Sequence, residues 1–350
     1  MSDYAPLDAA AAAAARDRQH ELTKPRGSLG RLETLAVELA AIQGAAIPRA
    51  RPAAAIIFAA DHPVVIHGVS AYPSEVTRAM VANFLTGGAA ASVLARRLSI
   101  PLSVVDVGVA GGPIEAPEGA DFVRDPVAEL SAGDLVECDA MPAATYRAAL
   151  AAGRAAIDRT ADVRVVVLGE MGIGNTTPAS AVGAMLLGHA AAAMTGPGTG
   201  LDPGGVARKA AVIDRALARA RAAGVDPGDP HAVCAALGGR DLAALVGAME
   251  RALERRIAVL VDGFIVTAAA LVLCRARPDS RARLFFAHRS REPGHGALLA
   301  ALDARPLLEL EMALGEGSGA LMAFPVLELA CALHADMATF SSAGVPDRDP

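Results

Sequence analysis

The sequence predicts an α/β fold, a parallel sheet flanked by helices in a Rossmann-like three-layer arrangement. Three observations carry this expectation. A continuous apolar run at residues 53–60 and mostly apolar runs at 102–107 and 163–168 read as strands. Strands that read this way are buried on both faces, as parallel strands are. Each run is followed by a glycine-bearing loop and then by a helical pattern, the βα alternation of such sheets. The chain is also long enough, at 350 residues with 53% hydrophobic, for a sizeable core and a second, smaller domain.

The elements follow in order. Residues 6–20 form an alanine-rich helix. Lys24-Pro25-Arg26-Gly27-Ser28-Leu29-Gly30 is a turn cluster, and Leu32, Leu35, Leu39 and Ile42 then mark one face of a helix. The run 53–60 is a buried strand ending at Asp61-His62-Pro63. A loop through Gly68-Val69-Ser70-Ala71-Tyr72-Pro73 leads to helices over 76–98, broken at Gly87-Gly88. Residues 102–107 are the second strand, and 113–140, acidic and rich in Pro and Gly, read as an irregular excursion. Helix 143–160 precedes strand 163–168. Helices 205–223 and 241–255 and short strands 257–261 and 283–286 complete the sheet. A long apolar helix starts near Ala320. In such sheets ligands bind beyond the carboxyl ends of the strands, where the glycine loops gather.

Composition narrows the partners. A net charge of −6, no basic stripe, no Trp and 3% aromatics argue against nucleic acid. No apolar run reads as long enough to span a bilayer, since the longest, 257–274, is broken by Asp262 and Gly263. The N-terminus carries Asp3 and Asp8 without a basic leader, unlike a secretory signal. Cys138, Cys234, Cys274 and Cys331 are far apart with no CxxC, which predicts reduced core thiols in a cytoplasmic protein rather than a disulfide or zinc framework.

Several loops could carry chemistry. Leu314-Gly315-Glu316-Gly317-Ser318-Gly319 places one carboxylate among glycines, where the backbone can press against a ligand and the glutamate can accept a proton. A solvated carboxylate in a glycine turn is the bland alternative. Gly169-Glu170-Met171-Gly172-Ile173-Gly174-Asn175-Thr176-Thr177-Pro178 follows a strand and opens a helix, with Thr177 suited to the N-cap and Pro178 to the first helical position. Free N–H groups there make an anion site. No Walker lysine and no third fingerprint glycine is present, and a plain capped turn remains open beside the phosphate reading. Thr195-Gly196-Pro197-Gly198-Thr199-Gly200-Leu201-Asp202 is a second glycine loop. Lys209 beyond it could supply the cation a phosphate wants, or be an ordinary surface lysine. Asp61-His62 and His67 show no metal-ligand spacing and read as hydrogen-bonded histidines. Ser290, between His288 and His295, lacks a nucleophile-elbow context and reads as a hydroxyl donor to ligand or a turn residue. Asp262 should find a partner, face the cleft, or cap the helix near Phe264. The run Val104-Val105-Asp106-Val107 has one acid, not the pair typical of transferases that use pyrophosphorylated ribose with magnesium.

Taken together these motifs resemble the nicotinate-nucleotide:dimethylbenzimidazole phosphoribosyltransferase family. The resemblance spans Lys24-Pro25-Arg26-Gly27-Ser28-Leu29-Gly30 to the C-terminal helix. It is most specific at Gly68-Val69-Ser70-Ala71-Tyr72-Pro73, at Gly169 to Thr177 and at Leu314 to Gly319. It implies a homodimer of two-domain subunits. The parallel α/β domain would span 51–310, and a smaller helical domain would be built from 1–50 and 311–350. It implies transfer of phosphoribose from nicotinate mononucleotide to 5,6-dimethylbenzimidazole, with no metal and no cofactor. Glu316 would be the catalytic base. Glu170, Gly172, Ile173, Gly174, Asn175, Thr176, Lys209 and Ser290 would hold the nucleotide's phosphate and ribose. Ser70, Tyr72, Arg78 and Leu314 would lie near the benzimidazole. Pro63 and Pro197 stand where the family usually has glycine and arginine. Transfer to another azole or a purine, or a non-catalytic nucleotide sensor on the same fold, are the competing expectations. A dinucleotide-dependent oxidoreductase is disfavoured by the incomplete fingerprint.

Overall fold

In the computed structural model, which describes residues 4–346, six strands form one sheet. They are β1 (Ala53–Ala60), β2 (Leu102–Gly108), β3 (Asp121–Arg124), β4 (Val165–Met171), β5 (Ala258–Val261) and β6 (Leu284–Phe286). The spatial order is β3-β2-β1-β4-β5-β6 and every neighbouring pair is parallel. The chain winds outward in one direction from β1 and in the other from β4. The carboxyl ends of these two central strands therefore flank the crevice expected of doubly wound sheets.

Helices α1 (Ala9–Glu21) and α2 (Arg31–Gln43) precede the sheet. Helices α3 (Glu75–Leu85) and α4 (Ala90–Arg97) join β1 to β2, and α5 (Ala143–Arg159) leads into β4. Between β4 and β5 lie α6 (Thr176–Leu187), α7 (Ala191–Met194), α8 (Pro203–Ala222), α9 (Pro230–Leu237) and α10 (Arg240–Glu254). After β5 come α11 (Phe264–Ala276), α12 (Pro293–Ala301), α13 (Ser318–Asp336) and α14 (Phe340–Ala343).

Strand side chains alternate between two separate cores, as the two-residue period requires. Ile56, Phe58, Val166, Leu168, Val259 and Val261 point into a core shared with α5, α6 and α8 to α12. Ile57, Val104, Val165, Val167, Ala258 and Leu260 point the other way, toward α2, α3, α4 and α13. Because both faces are covered, strands such as β1 and β5 carry no polar residues, which explains their uninterrupted apolar reading. Leu35, Leu39 and Ile42 of α2 meet Phe324 and Leu327 of α13 in the second core. The two terminal segments are tied further. Arg18 donates to the carbonyls of His334 and Ala335, and Leu22 pairs with Thr339.

The structure corrects several expectations. The excursion 113–140 contains edge strand β3, too short and too mixed in sequence to show a strand pattern. Neither β3 nor β6 exits through a glycine loop: a single-turn 3-10 helix, Pro126–Glu129, follows β3, and Ala287-His288-Arg289 follows β6. Helix α13 starts at Ser318. It is long and apolar enough by composition to cross a membrane, yet it packs its Phe324, Leu327 and Ala330 against the sheet core. Cys138 is exposed, while the other three cysteines are buried, and all four are free thiols. Asp3 lies outside the described residues.

Candidate active site

The Glu316 turn is conformationally unusual. Gly315, Glu316 and Gly317 all have positive φ, at 86°, 64° and 76°. Glycine adopts this region freely, but a glutamate held there costs about 1–2 kcal/mol. The surroundings enforce it. A Cβ on Gly169, in β4, would lie 2.5 Å from the backbone nitrogen of Gly317 and 2.6 Å from the carbonyl carbon of Glu316. Only glycine at 169 lets the turn rest directly on the strand. The hydroxyl of Ser318 donates to the Gly315 carbonyl at 2.6 Å. The Glu316 side chain is buried, 5% exposed, and its Oε2 accepts from the Ala91 N–H at 3.5 Å, at the start of α4. Burial raises its pKa above the ordinary glutamate value, against the opposing pull of that N–H.

Asp262 explains how the turn is joined to helix α13. Its Oδ2 accepts from Gly317 N–H at 3.2 Å and its Oδ1 from Ala320 N–H at 2.8 Å. Continuing the β5 alternation sends its side chain to the face that carries α13. It therefore caps that distant helix, whereas α11, which begins two residues later, has Gly263 at its N-cap. Burial pushes the Asp262 carboxyl up to about 7.

On the other side of Gly315 lies a cavity of about 80 Å³. Its walls include Glu170, Gly172, Ile173, Asn175, Thr176, Ser290 and Leu314, together with Thr199, Asp262 and Glu292. Glu170 is buried, accepts a hydrogen bond from the Asn175 amide, and sits where a Gly315 Cβ would be 2.6 Å from its Oε1. Burial, with Asp241 and Asp262 nearby, drives its pKa well above the carboxylate range. Helix α6 starts two residues earlier than the capping pattern suggests. Asn175 is the N-cap, its side chain is drawn to Glu170 instead of capping, and Pro178 falls at the third helical position. Proline is tolerated there because first-turn N–H groups have no intrahelical acceptor. Ile173 N–H is held by Thr77 Oγ1 at 3.1 Å. Among the described residues no hydrogen bond engages the N–H groups of Gly174 and Thr176.

Lys209 is fully buried, which rules out the surface-lysine alternative. Its Nζ donates to Thr176 Oγ1 at 2.6 Å and to Gly196 O at 3.4 Å. Burial lowers its pKa to about 8, with Glu292 opposing the shift. Glu292 is a residue the sequence reading passed over. It is buried, its Oε1 accepts from Gly198 N–H at 3.0 Å, and its Oε2 has no hydrogen-bond partner among the described residues. Its position directly before Pro293 at the start of α12 marks a helix entry, but nothing in the sequence signals burial against a lysine.

The remaining sequence candidates divide. Ser70 Oγ lies 3.3 Å from Thr199 Oγ1, at the edge of the cavity, and accepts from Tyr72 N–H. Tyr72 and Leu314 are more than half exposed. Arg78 does not line the cavity: its guanidinium donates to the carbonyls of Gly112 and Pro113. Ser290 N–H donates to His295 Nδ1 at 2.8 Å, and its hydroxyl accepts from Glu292 N–H at 3.3 Å. His62 pairs with Asp241 at 3.2 Å. His67 pairs with Asp134 at 2.6 Å, close to Glu137. Asp106 accepts from Gly108 and Val109 N–H groups and pairs with Arg124, so β2 ends in a closed network. Pro63 opens a short 3-10 helix, where its missing N–H has no role, and the Pro197 carbonyl accepts from Gly200 and Leu201.

A glycine loop at a helix start, a buried lysine and a buried glutamate gather above one strand end, an arrangement suited to holding an anion beside a proton acceptor. The comparisons with known proteins agree: a family model described as phosphoribosyltransferase matches residues 4–345. A Pseudomonas putida F1 relative named nicotinate-nucleotide–dimethylbenzimidazole phosphoribosyltransferase is 51% identical over 98% of this chain and 96% of its own. A Xanthomonas axonopodis pv. citri relative of the same name is 51% identical over 97% and 96%. The crystal structure of CobT from Thermus thermophilus superposes with a TM-score of 0.89 at 43% identity, covering 96% of this chain and 99% of that one. The chain belongs to the nicotinate-nucleotide–dimethylbenzimidazole phosphoribosyltransferase family.

Proposed function

We propose that the protein transfers phosphoribose from nicotinate mononucleotide to 5,6-dimethylbenzimidazole, giving α-ribazole 5′-phosphate and nicotinate. The observation that carries this reading is the buried, strained Glu316, separated by one glycine from a phosphate-type cradle. One benzimidazole nitrogen attacks C1′ while the proton on the other passes to the Glu316 carboxylate. The bond from C1′ to the pyridinium nitrogen breaks, and its electron pair leaves with nicotinate, whose ring nitrogen becomes neutral. Attack opposite the leaving group inverts C1′, turning a β-nucleotide into an α-product. A raised carboxyl pKa strengthens Glu316 as a base near neutral pH. The unengaged N–H groups of Gly174 and Thr176, with Lys209, would hold the 5′-phosphate. Ser290 would contact the ribose-phosphate, and Ser70, Tyr72 and Leu314 would border the azole. The reading includes a homodimer in the cytoplasm, consistent with the free thiols, and sedimentation of the purified protein tests the assembly.

The test is nicotinate release from nicotinate mononucleotide, with and without 5,6-dimethylbenzimidazole, in wild type and Glu316→Gln. Release that needs both the azole and Glu316 is the expected result. Tight nucleotide binding without release would turn the reading to another acceptor or to a sensor.

A further inference from the structure

Asp262 stands at the carboxyl end of β5 with 1% exposure. Its two carboxylate oxygens grip two backbone N–H groups, Gly317 and Ala320, that bracket the first turn of α13. Gly317 is the peptide neighbour of Glu316, and its N–H belongs to the amide that follows Glu316. Fixing that amide fixes the ψ of Glu316. Below the turn, Gly169 leaves no space for it to sink. Beyond it, a Cβ on Gly319 would lie 2.0 Å from the His288 ring, so that ring packs directly on the backbone of the first turn of α13. His288 Nε2 is itself 4.0 Å from Asp262 Oδ1. The turn is thus supported below by Gly169 and beyond by His288, and Asp262 supplies the bonds that hold it there. Left-handed backbone at a glutamate relaxes unless its surroundings over-determine it.

We infer that Asp262 is a positioning residue for Glu316: its paired hydrogen bonds to Gly317 and Ala320 hold the left-handed turn that aims the base. This rests on the reading of Glu316 as the base. A bare helix cap would serve only stability. A positioning residue acts on turnover through Glu316, and its effect disappears when Glu316 is already disabled.

Four full-length proteins decide this: Asp262→Asn, Asp262→Ala, Glu316→Gln and the Asp262→Asn/Glu316→Gln double variant. Nicotinate release is measured with saturating 5,6-dimethylbenzimidazole. Misplacing a reacting group by about 1 Å can cost about 100-fold, so Asp262→Asn is expected to lower kcat by at least about tenfold. Its KM for nicotinate mononucleotide should stay within about threefold, and the double variant should turn over within about twofold of Glu316→Gln alone, the non-additivity of coupled groups. Multiplying losses in the double variant would overturn the proposal. So would a raised KM with unchanged kcat, which would make Asp262 a ligand contact. The asparagine is nearly isosteric and carries the test if the alanine variant does not fold. Wild-type turnover in Glu316→Gln would remove the base reading and this proposal with it. An inactive Glu316→Gln with multiplying losses removes the proposal alone.

Discussion

Two loops meet above β4, and they are built on opposite plans. The cradle loop, residues 172–176, is closed on itself by near neighbours, with Thr77 and Lys209 as its distant partners. Asn175 N–H bonds Gly172 O, Thr177 N–H bonds Gly174 O, and the Asn175 amide reaches back five residues to Glu170. The Glu316 turn is held from far away in the chain. Gly169 supports it, Asp262 ties it, and Ala91 meets its carboxylate from 225 residues off. A locally closed loop shows itself in sequence and tolerates change around it. A remotely closed turn does neither, and its strain makes it dependent on every support.

The largest expected break in this contrast is Glu316→Gln. Loss of a general base typically costs 10²–10⁴-fold, and a drop of about that size in kcat is expected by nicotinate release, with the melting temperature near wild type. The next is Gly169→Ala, which attacks the turn from β4 without touching the cradle. The added methyl clashes with Glu316 and Gly317 backbone, and about tenfold or more should be lost from kcat with a smaller change in nucleotide KM. Lys209→Ala tests the cradle side. The KM for nicotinate mononucleotide should rise about tenfold or more while kcat falls less, since under the proposed reading the lost cation would contact phosphate in ground and transition states alike. In wild type the same KM should rise above pH about 8, where Lys209 loses its charge.

Stability against pH is a subtler probe of the turn. The folded-state pKa of Asp262 is raised to about 7 from 3.8. The folded form therefore binds this proton more tightly than the unfolded form does. The resulting stability is fully present below pH about 4 and is lost as pH rises through about 7. Burial raises Glu170 and Glu316 in the same direction. Chemical denaturation from pH 5 to 8 should show stability falling, with a shallower slope in Asp262→Asn. The smallest expected effect is on the cradle helix. Thr177 Oγ1 is buried without a hydrogen-bond partner among the described residues. Thr177→Val should leave thermal stability unchanged or slightly raised, by up to about 1 kcal/mol.

Much of this was legible beforehand, for reasons the two loops make plain. Strands 53–60 and 163–168 announce themselves because both faces are buried, and Glu316 stands out as the only acid in its glycine run. Lys209 could be suspected but not placed, because burial on an amphipathic helix depends on what covers it. Asp262 was visible as a polar break in an apolar stretch. Its actual partners lie 55 and 58 residues away, a pairing that follows from strand alternation only once the sheet order is known. Glu292 gave no signal, since a glutamate before proline reads as a solvated helix entry. Strand β3 was missed because an edge strand of four residues need not be apolar on both sides.

The contact between Gly169 and Gly317 has a mechanical consequence. β4 supports the proposed base, Glu316, at Gly169 and opens into the proposed phosphate loop three residues later. Both groups are thus referenced to the same few ångströms of central-strand backbone, which is hydrogen-bonded to β1 and β5. Flexing between the helical layers can shift the outer loops. It will change the span from Glu316 to the 172–176 loop only by stretching a central strand paired on both sides, so under the proposed reading that strand is the ruler against which the reacting carbon would be placed.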